Sequence, residues 1–467
     1  MGASEQDLRL RPGSPRHHRR PVAGDGEHRS GLRARRGHRR LHRPVPGRRH
    51  RRPDAGGNRP VQGGIRHGGV DAQRRGGGQG VGHGHRRPPH RPGPQPGPLA
   101  RPGWKRPAVP EPRVDHIIAV HNPRRPIYRA VESVLKHTAA PIRVSVVCHN
   151  TDPGEIRRVL GELADDPRLR LLELQDGVRS PSGPFNAGMD AATAPFTSIM
   201  GSDDELEPGA IDSWLAVQRR DGADVVIPRL AHAGAANVPT PPSRPFRAAA
   251  LDGVRDRLSY RSAPLGLVSR ERFGALRLMS VPGTGGDVEY STALWFSGAR
   301  ISRDRRGPAY RIHNDASDRV TLAPKPVADD FIFLNRLLAS ELLRALTPQQ
   351  CEALVVKLIR VHIFGTVHNR QDPALWTPAE RATLAAGLEG CVGAAPHAVE
   401  VLSRSDRALI DVIRDVGAPA DDLLAAAAGR RRYLSPPSLV PRNPLLLLAR
   451  EAPLRFAVAS ALVRAGL

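Results

Sequence analysis

Cysteine is scarce in this chain of 467 residues: there are three, Cys148, Cys351 and Cys391, widely separated and without metal-site spacing. Neither a disulfide framework nor a Cys-ligated zinc is expected, and the thiols read as reduced, as in a cytosolic protein. Long apolar runs are missing too. The nearest approach, Pro444 to Leu467, is interrupted by Arg450, Glu451, Arg455 and Arg464, so it does not read as a bilayer span. Acid is also short, with 46 Asp and Glu against 71 Lys and Arg, a formal charge of +25.

That charge is localised. Residues 1–113 hold 27 Lys or Arg against 7 Asp or Glu, which leaves an ordinary balance for the remainder. The same stretch has no Phe, Tyr or Cys, a single Ile (Ile65) and a single Lys (Lys105) amid Arg, Gly, Pro and His. It cannot bury enough apolar area to offset chain entropy, so it is expected to be disordered. Arg48-Arg49 and Arg51-Arg52 suit a nucleic-acid arm, yet only Trp104 is present for base stacking. Translation of GC-rich DNA in another frame, or from a start placed too far upstream, gives the same texture, and that reading is favoured. No nucleic-acid partner is expected. The arm has neither the apolar core of a secretory signal nor the texture of a transit peptide.

Order is expected from Val114. Strand-like runs at Val114–Val120, Ile142–Cys148, Leu169–Leu174 and Phe196–Met200 alternate with helical patterns at Ile127–His137, Glu155–Ala164, Asn186–Ala192 and Gly209–Arg219. Ala223–Ile227 reads as a further strand. This alternation predicts βαβ units and a mainly parallel sheet. Helical periodicity dominates from Phe331 onward, through Leu346 and then Gln349–Val367. The expected partition is an arm over 1–113, an α/β domain over 114–325 and a helical region over 326–467.

The chemistry concentrates after the fourth strand, in Met200-Gly-Ser-Asp-Asp-Glu-Leu-Glu-Pro208. A hydrophobic strand delivers Asp203 and Asp204 to its carboxyl end, the edge where open α/β sheets bind ligands. Paired carboxylates there suit a hard divalent cation. Glu205, Pro208 and the apolar period that follows also suit a helix start, with an acid as its cap.

Together with Phe185-Asn-Ala-Gly-Met-Asp-Ala-Ala192, this segment resembles a family 2 glycosyltransferase of the GT-A fold over roughly residues 114–320. The resemblance implies an α/β, Rossmann-like, mostly parallel sheet flanked by helices. It implies transfer of a sugar from a nucleotide-diphosphate donor to a glycan or lipid-linked acceptor hydroxyl, with inversion, in surface glycan or polysaccharide assembly. Mg²⁺ or Mn²⁺ would be held by Asp204 with Asp203 beside it. His313, in Tyr310-Arg-Ile-His313, would complete the metal or diphosphate shell. Asp287, in Gly285-Gly-Asp-Val-Glu-Tyr290, takes the place of the family's catalytic base, with Glu289 as fallback. Asp287 also suits the cap of a helix over Val288–Phe296.

For the nucleotide the resemblance points to His121 and Asn122 after the first strand, and Asn150 and Asp152 after the second. Asp176 after the third, Asn186 in the Asn-Ala-Gly loop and Asp203 complete the set. Asn and Asp at such places are equally ordinary turn formers. Three residues depart from the family pattern: Gly201 where a first Asp often stands, Gly286 where Glu precedes the base, and Phe185 where Arg is frequent. A fold retained as a binding module without chemistry, and a nucleic-acid binder acting through the arm, are the alternative functions. The expected location is cytoplasmic, with peripheral contact at the inner face of the membrane.

Overall fold

The computed structural model describes residues 110–235, 237–281, 285–313 and 325–467. The disorder expected of the arm concerns, for residues 1–109, positions outside the described residues.

Four parallel strands form one half of the main sheet: β1 (Val114–Val120), β2 (Ile142–His149), β3 (Leu169–Leu174) and β4 (Phe196–Gly201). Helices α1 (Ile127–Leu135), α2 (Pro153–Leu160) and α3 (Ser182–Asp190) connect them. After β4 come β5 (Glu205–Leu206), α4 (Ala210–Asp221), β6 (Val225–Ile227) and β7 (Leu230–His232). They are followed by β8 (Leu267–Ser269), α5 (Arg270–Phe273), α6 (Gly286–Trp295), β9 (Ile301–Arg303) and β10 (Tyr310–Ile312). The main sheet runs β3-β2-β1-β4-β8-β6-β9, and only β8 is antiparallel to its neighbours. β5, β10 and β7 make a separate three-stranded sheet.

The central strands are mostly apolar because both of their faces are covered, with Asp115 and His116 the polar exceptions on β1. Ile117, Ile118, Val144, Val146 and Met200 are fully buried. α1 buries Ile127, Ala130, Val131, Val134 and Leu135 on one stripe against them. α3 approaches β1 so closely that a Cβ on Gly188 would lie 2.3 Å from Ile117 Cγ2. The Gly of the Asn-Ala-Gly motif is thus required by helix-to-strand contact.

A carboxylate of β1 sits inside this core. Asp115 on β1 is wholly buried and takes a bidentate pair from Arg143 (2.6 and 2.8 Å). It also accepts the backbone N–H groups of Thr193 and Ala194 (2.7 and 2.8 Å), at the entry to β4. Burial opposes its ionisation, but these four hydrogen bonds together hold its pKa below the usual carboxylate value. The pair pins the start of β4, the strand that leads into Asp203 and Asp204.

Several boundaries differ from the sequence expectation. α3 begins at Ser182, four residues before the expected Asn186. α2 stops at Leu160, where Gly161 takes a positive φ of 54° and a 3₁₀ turn follows over Gly161–Asp165. α6 starts at Gly286 behind Gly285, whose φ is 90°, so Asp287 lies inside the first turn and does not cap the helix. α4 likewise begins after Gly209 without a side-chain cap, so the acids before it are not cap residues.

Beyond residue 326 the chain is helical, with reciprocal capping boxes at Thr347/Gln350 and Ser403/Asp406. The expected helix over Gln349–Val367 is α-helical at Pro348–Lys357, π-helical at Leu358–Ile363 and α-helical again at Phe364–His368. This region has its own apolar core around Leu354, Ile359, Leu384 and Leu409. Val281 and Val288 belong to that core, whereas Tyr290, Leu294 and Trp295, on the same α6, belong to the sheet's core.

Candidate active site

The carboxyl ends of β3, β2, β1 and β4 lie side by side in that order. They bring the residues after each strand to a single edge. After β4 the chain turns tightly, with Asp204 N–H bonding Gly201 C=O (3.3 Å), and both acids are buried. Asp203 pairs with Arg125 (3.2 Å), and its carbonyl accepts from the Arg129 guanidinium of α1. Asp204 accepts from Tyr310 Oη at Oδ2 (2.6 Å) and from His313 N–H at Oδ1 (3.1 Å). The small sheet explains the second pair, because β10 lies beside β5, the strand that immediately follows the acids.

Burial first, and then the charge of Asp204, push the Tyr310 pKa well above 10, so the phenol remains a donor. Tyr310 Oη also receives Gly201 N–H (3.3 Å). The imidazole of His313 lies 3.1 Å from Glu205. Glu207 pairs with Arg229 (3.0 Å) and Arg311 (2.7 Å). The acids of this run are therefore held by fixed partners and not spread over a solvated face.

At the other end of the edge, His149 Nε2 lies 2.7 Å from Asp176 Oδ1. Asn150, at a positive φ of 51°, accepts the N–H groups of Asp176 and Gly177 through its side-chain oxygen (3.1 and 3.0 Å). Asp176 in turn accepts Val178 N–H (2.9 Å). Burial works to raise the Asp176 pKa, but the hydrogen bonds from His149, Val178 and Asn150 outweigh it and lower the value. Asn150 and Asp176 are thus brought together, with His149 as a third member.

The other nucleotide-side candidates are placed separately. His121 is exposed just past β1, and Asn122 accepts Arg124 N–H in the following turn (3.0 Å). Asp152 is exposed and caps α2 by accepting Gly154 N–H (2.8 Å), which is the turn role open to it from sequence. The Asn186 amide is engaged at both ends by the backbone of Leu278 (2.8 and 2.9 Å). It ties α3 to the loop that leads into α6.

Asp287 and Glu289 are half-buried in the first turn of α6. That turn abuts the start of α3, since a Cβ on Gly286 would meet Ser182 Oγ at 2.3 Å and Met279 O at 2.4 Å. The position has no space for the Glu usual in the family, which accounts for this departure. A Cβ on neighbouring Gly183 would in turn lie 2.7 Å from Asp176 Oδ2. Close contacts therefore run from Asp176 through the start of α3 to Gly286, the residue before Asp287.

Sequence reasoning missed Arg125, Arg129, Tyr310 as a ligand of Asp204, and His149. Arg125 had a signal in the basic loop Asn122-Pro-Arg-Arg-Pro126, whereas Arg129 lies beyond it on α1. The pairings of Tyr310 and His149 depend on strand neighbours more than 20 residues away, which no local pattern reports.

Residues 115–278 match the family model described as glycosyl transferase family 2. Over that segment, 164 of the 467 residues, the chain is similar to family 2 glycosyltransferases. The match ends before Asp287, Tyr310 and His313. A segment of 119 residues is 30% identical to the succinoglycan biosynthesis protein ExoO of Rhizobium meliloti (strain 1021), covering 26% of this chain. The match spans about a third (33%) of that relative's length. The fold is similar to that of S. aureus TarS (residues 1–349) in complex with UDP-GlcNAc, with a TM-score of 0.55 and 15% identity. That alignment covers 68% of this chain and 91% of the other. The same TarS fragment with UDP aligns with a TM-score of 0.51 and 16% identity, again over 68% and 91%. The fold is thus of the GT-A type, a mostly parallel sheet flanked by helices. Among the described residues, no helix is long and apolar enough to cross a membrane.

Proposed function

We propose that this chain transfers a sugar from a nucleotide-diphosphate donor to an acceptor hydroxyl, with inversion, in the assembly of a surface polysaccharide. The observation that carries the reading is the fixed placement of Asp204 at the carboxyl edge, held by Tyr310 Oη and His313 N–H. The relative that acts in succinoglycan biosynthesis and the UDP-bound TarS structures support the donor class and the pathway type.

The donor set fits a shared cation better than a closed cage. Among the described residues no group of three His, Cys, Asp or Glu side chains converges as a metal site. Mg²⁺ and similar ions commonly take one or two carboxylates and complete their shell with water and substrate phosphates. Asp204, with Asp203 and His313 nearby, would hold Mg²⁺ or Mn²⁺ in that manner. Such an ion supplies counter-charge to the diphosphate as the sugar departs. Asp176, Asn150 and His149 would receive the nucleoside at the far end of the edge. Asp287 would take the proton of the acceptor hydroxyl, with α3 and α6 fixing its distance from the nucleotide.

The test is turnover of a panel of UDP-sugars with Mn²⁺, against acceptor hydroxyls, by wild type and Asp287→Asn. Turnover by wild type, with loss in the variant and retained UDP binding by calorimetry, supports the reading. Nucleotide binding without turnover anywhere in the panel favours a binding module, and no nucleotide binding at all refutes both.

A further inference from the structure

The carboxyl-terminal segment is anchored on both sides of a turn that carries bare leucines. Residues 431–467 hold six arginines and a single acid, Glu451. That acid is turned inward: it is buried, with Arg257 Nε 3.5 Å and Arg360 Nη1 3.9 Å from its carboxylate oxygens. Its carbonyl accepts from Arg360 (2.8 Å), and the carbonyl of Arg450 accepts from Arg257. On the last helix, Pro453–Arg464, Phe456 packs against Tyr260 with ring centroids 4.8 Å apart. Upstream, Arg404 N–H donates to Val440 C=O (2.9 Å), and Pro441 forms a β-bridge with Ser403. Between these anchorages the 3₁₀ turn Pro444–Leu446 is capped by Asn443, whose side chain accepts Leu445 N–H (3.1 Å).

The leucines of the turn divide between two environments. Leu446 and Ala449 pack against the helical core, whereas Leu445 is 92% and Leu448 68% exposed. Arg455 donates to Leu448 C=O (3.1 Å), which brings its guanidinium to the second bare leucine. Val458, three residues further and on the same side of the helix, is exposed as well. The Arg450 side chain is exposed two residues after Leu448, and Arg442, before the turn, is paired with Asp411. An isolated exposed leucine is ordinary. Two on one fixed turn, flanked by arginines in a segment whose only acid is buried, make a directed surface. The charge selects the occupant. A two-fold contact with a second copy would bring the same arginines together. A bilayer with anionic headgroups receives the leucines in its acyl region and the guanidinium groups at its phosphates.

We infer that the turn Pro444–Leu448 docks the protein peripherally on an anionic bilayer, with Leu445 and Leu448 inserted below the headgroups and Arg450 and Arg455 among them. The inference stands independently of the sugar-transfer reading.

Leu445→Trp in the full chain reports insertion at the turn itself, whatever residues 1–113 contribute to binding. On vesicles of equimolar phosphatidylcholine and phosphatidylglycerol, emission of the introduced indole is expected to shift to the blue. It should be quenched when the phosphatidylcholine carries brominated acyl chains. An emission unmoved by vesicles, or indifferent to bromine, overturns the inference. Leu445→Ser/Leu448→Ser should melt like wild type by circular dichroism and lower the vesicle partition coefficient about tenfold or more. An unchanged coefficient overturns it too. Arg450→Gln should weaken binding to the mixed vesicles and leave binding to pure phosphatidylcholine alone; equal effects on both would overturn the role given to the headgroups. A dimer in lipid-free buffer that the double serine variant dissolves would assign the leucines to a second copy and overturn the inference.

Discussion

Tyr310 donates its phenolic hydrogen to Asp204 across 2.6 Å, from a strand that lies 106 residues further along the chain. The bond fixes one carboxylate oxygen, and the backbone of His313 fixes the other. Tyr310→Phe keeps the ring in the core and removes only the hydroxyl. Turnover of the UDP-sugar substrate is expected to fall about 10- to 100-fold, as for other residues that orient a reacting or ligating group. Melting followed by circular dichroism should show a folded protein with a modest loss, about 1–3 kcal/mol, from Gly201 N–H left without its acceptor. Wild-type rates in Tyr310→Phe would detach this bond from function.

The Asp115–Arg143 pair gives a pH-dependent signature. The carboxyl of Asp115 is held below its unfolded value of 3.8, so its contribution is complete above about pH 4 and is lost as pH falls through the folded value. Asp115→Asn should cost about 3–5 kcal/mol at pH 7, since it strands Arg143. Denaturant melts from pH 7 to 2 should show the gap between the two proteins closing at the acid end. A constant gap would mean that ionisation of Asp115 is not the source.

Gly188→Ala should destabilise by about 1–3 kcal/mol or more, because the new methyl meets Ile117 at 2.3 Å. The loss should be smaller when introduced into Ile117→Ala, which vacates the contested space. Equal losses in both backgrounds would rule out this contact as the cause.

Asp176→Asn weakens the cluster at the end of β3 without removing its shape. UDP affinity, by calorimetry, is expected to fall about tenfold, in keeping with the loss of one charge-assisted hydrogen bond. Unchanged affinity would move the nucleoside away from His149, Asn150 and Asp176.

The first half of the sheet was legible because β1, β2 and β4 are covered on both faces and so are rich in apolar residues. Asp203 and Asp204 were legible for the same reason, as the first acids after such a strand. β5 and β10 were not. Strands of two and three residues have no period to detect. With them went the support of Asp204 by Tyr310, although Tyr310 and His313 were visible as a motif. Asn186 and Gly188 show another limit: both stand in a recognisable signature, yet one clamps Leu278 and the other yields space to Ile117. The break in the helix after Lys357 was invisible, because a π turn preserves the apolar content of a helix and changes only its phase.

α6 spends its two sides on different cores, Val288 on the helical one and Tyr290, Leu294 and Trp295 on that of the sheet. The protein is therefore poorly divisible. A truncation at residue 325 would uncover Val281 and Val288, leaving the loop that leads into α6 to rearrange or aggregate. Swapping the carboxyl-terminal third between relatives would carry the same burden, since each replacement must rebuild one flank of a helix that it does not itself encode.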